Sequence, residues 1–441
     1  MSSKKSKKLL FLEKVLRRMA ILVINKYSPR IIGITGSVGK TSAKEAIFSV
    51  LSGHFRVRKS EKNYNNEIGL PLTVIGAETG KKSVLRWLGV FFKWLAVFIF
   101  PIEYPEVLIL EMGADRPGDI KYLAGFIKCE IAVVTDISGS HLEYFDTLDK
   151  VSEEKWNLVE NLKAGGLALV NIDNFQIAKL KEISKKEVKF LTFGFSESAE
   201  IRAAEVFYNY STRELKEKIK GLSFKLNYKG TAIPVRLNNI LAQHSIYAAL
   251  AGISAGIAFK LNLVEIAAAL ENFSMPCGRM NLIAGIKNTL IIDDGYNASP
   301  VSTQAALEVM KNIEAPRKIA VLGDMLELGN KTEVGHREAA KKFMEIKGDI
   351  FMAVGKRMKF AVEELKKHNL SDERLFWFES PMKAGKKLEN LIREGDLILI
   401  KGSQGMRMEK IVEEIMDEPN KASACLCRQN KEWKDKPWKE V

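Results

Sequence analysis

Cysteine is scarce in this chain, with four residues in 441, namely Cys129, Cys277, Cys425 and Cys427. They are scattered, and Cys425 and Cys427 stand too close for a usual zinc pair, so a zinc scaffold is not expected and a reducing cytoplasm fits. Internal repeats are lacking, and so is any RNA- or DNA-binding motif; no nucleic-acid partner is expected. A convincing secretory signal is also missing. The apolar stretch from Leu9 to Ile24 is interrupted by Glu13, Lys14, Arg17 and Arg18 and has no small-residue cleavage site, so it reads as a basic amphipathic helix instead. The apolar run from Val84 to Phe100 is at the short limit for a bilayer span and carries Arg86 and Lys93, which argues against a transmembrane helix.

Acidic residues are fewer than basic ones, 54 against 68, for a formal net charge of +14. Such an excess points to an anionic membrane surface or to phosphorylated substrates once nucleic acid is set aside. Much of it is N-terminal, where Lys4, Lys5, Lys7, Lys8, Lys14, Arg17 and Lys26 face only Glu13. The hydrophobic share of 46% and charged share of 28% are those of an ordinary soluble enzyme and exclude disorder as the dominant state. The length suggests about two or three domains.

What is present is a phosphate cradle. Ile31, Ile32, Gly33 and Ile34 form an apolar run that breaks into Thr35, Gly36, Ser37, Val38, Gly39, Lys40, Thr41 and Ser42, followed by a helical pattern from Ala43 to Leu51. A buried strand, a glycine turn whose amides converge and a helix N-terminus together bind an anion. Lys40 would sit on the terminal phosphates as a point charge, and the Thr41 hydroxyl would reach a nucleotide-borne Mg2+. The spacing departs from the usual P-loop, because Ile34 holds the place of its first glycine.

Downstream, the amide-rich segment with Asn65 and Asn66 runs into a helix and either contacts a ligand or caps that helix. In the run Val84–Phe100 the two charges share one helical face while Trp87, Phe91, Phe92, Trp94 and Phe98 cover much of the rest; it reads as an interfacial membrane helix, or else as a buried or dimer-forming one. The basic segment 1–28 likewise either packs on the enzyme by its Leu/Ile/Val face or lies on an anionic membrane. Val107 to Leu110 form a buried strand ending in Glu111, at the edge where parallel sheets bind ligands. Ile131 to Thr135 repeat the plan, His141 lies in the following loop and Lys155 on the next helix. Alternation from Ile201 to Val235 suggests antiparallel strands, and helices follow to Phe273. After Pro276, short strands at 289–293, 318–322, 350–354 and 396–400 alternate with helices as a second α/β domain. The tail from Pro419, with Trp433 and Trp438, either docks or stays loose.

With the loop, Glu111, His141, Lys155, Arg279 and Asp294 in view, the chain resembles the Mur ligases, ATP-dependent amide-bond-forming enzymes of cell-wall precursor synthesis. Six segments carry the resemblance in order: Thr35–Thr41, Asn63–Leu72, Glu111–Gly113, Asp293–Pro300, Leu322–Gly329 with His336, and Lys401–Ser403 leading to Glu409. It implies an α/β protein with a central P-loop-type ATPase domain of mainly parallel sheet (29–276, interrupted by the apolar insertion 84–100) and a Rossmann-like C-terminal domain (277–441). The implied cofactors are ATP and Mg2+, and the implied partners a muramoyl-peptide precursor and D-alanyl-D-alanine. A substrate carboxylate would take the γ-phosphate to give an acyl phosphate, which the incoming amine displaces.

By that resemblance Thr41 and Glu111 hold one Mg2+, while His141 and Lys155, the latter matching a lysine that many members carbamylate, serve a second. Gly36 to Ser42, His244, Arg279, Asp294 and Asn297 would contact ATP, the arginine on phosphate and the aspartate on ribose. Asn65, Asn66, Asp324, Glu327, His336, Lys401 and Ser403 are candidates for the substrates. Only about thirty residues precede the phosphate loop, so the family's N-terminal UDP-sugar-binding domain is expected to be lacking. Ser245 and Ala248 stand where the family carries asparagines near the adenine, and Gln404 where it carries an arginine, so those contacts are expected to differ. A cytoplasmic enzyme, peripheral on the inner membrane face, is the location implied. Two rivals stand beside this reading: the same chemistry on a lipid-linked or other cell-wall precursor, and a non-catalytic nucleotide-binding module at the membrane.

Overall fold

The computed structural model describes residues 6–61, 64–138, 145, 147–184, 187–211 and 218–435. They fall into two compact units, one made of Met1–Phe207, Ser223–Leu237 and Gln243–Phe273, the other of Tyr208–Leu222, Asn238–Ala242 and Ser274–Val441.

In the first unit the strands β1 (Arg30–Thr35), β2 (Val57–Lys59), β3 (Val107–Glu111), β4 (Ile131–Val134), β5 (Leu167–Asn171) and β6 (Lys189–Gly194) lie in the order β2-β3-β1-β4-β5-β6, every pair parallel. Ile31, Ile32, Ile34, Leu108, Ile109, Leu110 and Val133 are fully buried. Such unbroken apolar strands belong to a parallel sheet covered on both faces. The chain builds outward from β1 through β3 on one side and through β4 on the other, so the carboxyl ends of these three strands form the switch point at which open α/β sheets bind ligands. Helix α2 (Lys40–Leu51) leaves from that edge.

The sheet continues through β7 (Ile201–Ser211), β8 (Lys218–Tyr228) and β9 (Thr231–Asn238). β8 and β9 are joined by Lys229 and Gly230, both at positive φ, the two-residue turn that matches the twist of an antiparallel pair. The alternating pattern of this stretch has its cause there.

The second unit holds a sheet in the order β10-β11-β15-β12-β13-β14, built from Asn281–Gly285, Thr289–Asp294, Lys318–Gly323, Ile350–Val354, Leu375–Phe378 and Leu397–Lys401 in chain order from β10 to β15. All neighbours are parallel except the β10–β11 pair. Successive strand residues serve opposite faces: Ile292, Ala320 and Leu399 pack with Phe343 and Phe351, while Ile291, Ile319, Val321 and Ile398 pack with Met352 and Ile411. β10 and β14 are the two edges and were not among the strands read from the sequence. They are only partly buried: β10 shows no clean alternation, and β14 is an apolar run of just four residues, Leu375–Phe378.

Helix α1 (Lys7–Tyr27) begins at Ser6, whose hydroxyl accepts the Leu9 amide. It buries Leu16, Met19, Ala20 and Val23 among side chains of α3 (Gly69–Ile75) and α4 (Val84–Ile99). Of the two readings for this helix, packing on the enzyme is the one the structure displays. Among the described residues no helix is long and apolar enough to cross a membrane. The described part of the tail docks on the second unit, where Arg428 Nη2 donates to the Gly295 carbonyl at 2.6 Å and the Trp433 carbonyl accepts from Arg407 at 2.9 Å.

Candidate active site

The loop after β1 is pinned to the chain after β4. Thr135 Oγ1 donates to the Val38 carbonyl at 2.6 Å, the Ser37 amide donates to the Asp136 carbonyl at 2.7 Å and the Ser37 hydroxyl to the Ser138 carbonyl at 2.9 Å. The two segments pass so closely that a Cβ on Gly36 would stand 2.1 Å from the Thr135 hydroxyl. Gly39, at φ 85°, then opens α2, whose first amides have no partner within their own helix and are available to an anion. Thr135 and Asp136 were not sequence candidates, although their place at the carboxyl end of β4 was the signal for them. Asp136 is held in turn by Asn174 Nδ2 at 2.8 Å. Gly36→Ala is expected to raise the KM for ATP about tenfold or more while the protein stays folded, since the loop has to move away from Thr135; an unchanged KM would show that the pinning does not shape the phosphate site.

Lys40 folds back over its own loop, its ammonium 2.6 Å from the Gly36 carbonyl and 3.5 Å from that of Ser37. Val38 is exposed at the loop tip and Ser42 is buried in α2. The Thr41 hydroxyl donates to Glu111 Oε1 at 3.3 Å, which brings together the two residues named for the first cation. Glu111 is 4% exposed, and its other oxygen stands 3.4 Å from the ammonium of Lys44, itself 1% exposed. Lys44 was not among the candidates. Its signal was the three-residue spacing from Thr41, which places both on one face of α2.

Lys155 lies buried on the helix Leu148–Glu160. Desolvation first and the cation of Lys40 second push its amine down to about 8, against the opposing pull of Glu154, Asp136 and Asp115. Glu154 itself is occupied at the start of α5 (Asp119–Phe126), where it accepts the Gly118 amide at 2.8 Å and the Ile120 amide at 2.6 Å. His141 lies outside the described residues, as does Asn63. Asn66 Oδ1 accepts the Ile68 and Gly69 amides at the start of α3, and Asn65 lies against Gly113 just beyond β3, where its carbonyl accepts the Gly113 amide at 2.9 Å. His244 is exposed in the short helical turn Gln243–Ser245.

In the second unit, residues assigned to different ligands meet each other. Lys401 Nζ contacts Asp294 Oδ2 at 2.5 Å and donates to the Asn297 carbonyl at 3.0 Å. The Arg279 guanidinium lies over the Tyr296 ring, 4.7 Å from its centre. Asp324 accepts the Met358 amide at 2.8 Å, while His336 takes the Met325 amide on Nε2 at 3.0 Å and meets the Thr332 carbonyl through Nδ1 at 2.6 Å. That pairing makes His336 the neutral Nδ1–H tautomer, in keeping with a pKa lowered chiefly by burial. Ser403 Oγ accepts the Leu326 amide at 2.8 Å. Asp324, His336 and Ser403 thus hold the loop from within, and its exposed member is Glu327, at φ 63°.

Comparison with known proteins matches residues 95–256 to the Mur ligase middle domain and residues 278–404 to the Mur ligase, glutamate ligase domain. A UDP-N-acetylmuramoyl-tripeptide--D-alanyl-D-alanine ligase of Bacillus subtilis is 30% identical over 405 residues, spanning 92% of this chain and 79% of that protein. The chain belongs to the Mur ligase family. The ligase of the same name from Rickettsia prowazekii is 29% identical, over 90% of this chain and 80% of that protein. Among solved structures, a MurF from Acinetobacter baumannii is 25% identical with a TM-score of 0.75, covering 91% of this Mur ligase and 80% of its own chain. The MurF ligase of Thermotoga maritima in complex with ADP shares the fold at a TM-score of 0.72 and 23% identity, over 93% and 84% of the two chains. This Mur ligase is therefore an ATP-dependent enzyme of amide-bond formation.

Proposed function

We propose that this Mur ligase joins D-alanyl-D-alanine to a UDP-N-acetylmuramoyl-tripeptide, with 29–276 as the ATP-binding domain and 277–441 as the second domain, and that it works as a peripheral protein at the cytoplasmic face of an anionic membrane. The observation that carries the ligase reading is the Thr41–Glu111 contact beneath the pinned loop, a cation-binding pair at the place where a nucleotide's phosphates would end. Glu111 Oε2 is buried and has no hydrogen-bond partner among the described residues, which fits a carboxylate built to meet a metal as well as Lys44. Among the described residues no group of three or more His, Cys, Asp or Glu could hold an ion alone, so Mg2+ would take Thr41 and Glu111 and complete its shell from phosphate and water. Bound there, it would offset the charge that builds up as a carboxylate approaches the γ-phosphate.

The chain's own groups support the rest. Lys40 offers a cation to the transferring phosphoryl, and the amides at the start of α2 hold the phosphates in place. Lys155, carbamylated, and His141 would serve a second ion nearer the acyl group. Arg279, Asp294 and Asn297 are the nucleotide contacts we assign to the second unit, and His244 the contact beside the base. Glu327, at the tip of a loop held by Asp324, His336 and Ser403, is the group best placed in that loop to meet the dipeptide. Asn65, against Gly113, supports the chain just beyond β3 rather than a substrate.

Phosphate release from ATP and Mg2+, with D-alanyl-D-alanine present, tests the assignment. UDP-muramoyl-tripeptide should stimulate release and give the pentapeptide product. Silence with that donor and activity with its lipid-linked counterpart would move the substrate to the lipid carrier.

The tail bears on the same reaction. Arg428 Nε pairs with fully buried Glu409 at 3.2 Å while its Nη2 holds the Gly295 carbonyl, next to Asp294. Arg428→Ala leaves Glu409 buried without that partner and releases Gly295. It is expected to raise the KM for ATP several-fold and to destabilise the protein by about 3 kcal/mol, as thermal unfolding would register.

A further inference from the structure

Helix α4 leaves a broad apolar surface uncovered. Leu85 is 79% exposed, Phe92 63% and Ile99 58%, with Val84, Leu88 and Phe91 beside them. Its inward stripe is narrow: Val90 and Val97 are buried and Trp87 and Trp94 half-buried. At 3.6 residues per turn, Arg86 and Lys93 fall beside that inward stripe, so no charge interrupts the outward face. An exposed apolar face of this extent marks an interaction surface.

Three polar groups of α4 are turned back into the protein. The Lys93 ammonium donates to the Gly76 carbonyl, the Trp94 indole N–H to the Met19 carbonyl at 3.1 Å and the Trp87 indole N–H to the Lys81 carbonyl at 3.2 Å. The carboxyl end of the helix, where carbonyls ordinarily need water, is closed by α1: Lys26 Nζ donates to the carbonyls of Val97 at 3.1 Å, Phe98 at 2.8 Å and Phe100 at 2.9 Å, and the Tyr27 hydroxyl donates to Val97 at 2.8 Å. Backbone groups satisfied from within are what a hydrocarbon boundary demands; a helix end facing water needs no such clamp.

Cations outnumber acids around α4, with exposed Glu78 and Glu103 standing just beyond its flanks. From Thr79 to Ile102 the chain has no Asp or Glu, while Lys81, Lys82 and Arg86 are exposed around the amino end of α4 and Lys7, Lys8, Lys14 and Arg18 along α1. These cations complement anionic headgroups, whereas two copies of the surface pressed together would oppose like charges.

We propose that α4 is the membrane-seated element of this enzyme, lying in the plane of an anionic bilayer with Leu85, Leu88, Phe92 and Ile99 in the acyl boundary. Helix α1 does not insert; it holds α4 through Lys26 and Tyr27. This inference rests on the peripheral-membrane reading and names the surface that performs it.

The test is co-sedimentation of the full chain with vesicles of phosphatidylcholine alone or mixed with phosphatidylglycerol, at low and high salt. The parent is expected to bind the mixed vesicles, more weakly as salt rises. A Phe92→Ser, Ile99→Ser double variant should lose about tenfold to a hundredfold in vesicle affinity, with ATP turnover in solution unchanged as proof of folding. Binding by the double variant equal to that of the parent would overturn the role of α4 while leaving the peripheral reading in place. A parent that binds neither vesicle would overturn both. A vesicle-independent dimer abolished by the same substitutions, without vesicle binding, would make the surface a contact between copies and overturn the proposal.

Discussion

A Lys40→Ala variant is expected to lose at least about a thousandfold in ATP turnover, the scale on which single cations stabilise a transferring phosphoryl group. The ammonium is only half-buried and folds over the carbonyls of its own loop, so its removal should change stability by no more than about 1 kcal/mol. The two readouts are therefore expected to separate: phosphate release collapses while the unfolding temperature hardly moves. Lys40→Arg is not expected to rescue, because a planar guanidinium cannot occupy the point-like position that the loop forms around an ammonium. Turnover within tenfold of the parent would show that Lys40 does not sit on the phosphates. Loss of turnover together with gross unfolding would instead show that the lysine is part of the loop's architecture.

How far the sequence could be read depended on whether each role is set locally. The strand, glycine turn and helix around Lys40 were legible because the three are contiguous in the chain. Glu111 was legible as a carboxylate ending an apolar strand. Lys44 was not, because only the pairing of β1 with β3 brings Glu111 beside α2. Asp294 and Lys401 were separately visible as polar residues after strands, yet their contact follows from the register of β11 on β15, in which they stand opposite each other. His336 shows the limit most plainly: a histidine near a glycine-bearing loop suggests a ligand contact, but both nitrogens are engaged within the chain and the ring is fully buried. For α4, periodicity identified an amphipathic helix with two charges on one face. That the charged side lies beside the protein and the apolar side faces outward is a tertiary outcome, fixed by the Gly76 carbonyl that Lys93 reaches and by the α1 clamp.

Lys155 carries the second large effect. An ordinary lysine near pH 7.5 is neutral about one time in a thousand, whereas an amine lowered to about 8 is neutral about a quarter of the time. The neutral form is the one that adds to carbon dioxide, forming an N–C bond, releasing a proton and replacing a cation by an anionic oxygen ligand. Because the folded-state pKa is depressed, the burden of the buried charge is fully present below about pH 8 and is relieved as pH rises from there toward the ordinary lysine value; carbamylation relieves it at lower pH. Enzyme depleted of carbon dioxide is therefore expected to lose activity and to regain it with added bicarbonate, with the response strengthening through pH 8 at fixed dissolved carbon dioxide. Lys155→Ala should cost about a hundredfold to a thousandfold in kcat and should not respond to bicarbonate. Carbon-13 bicarbonate should give a carbamate signal in the parent and none in the variant, a readout independent of turnover. Since Lys40 is the largest charge acting to lower this amine, Lys40→Ala should also raise the Lys155 pKa and weaken the carbamate signal. A full signal in Lys155→Ala, or a parent indifferent to bicarbonate throughout this range, would leave Lys155 as a buried structural lysine.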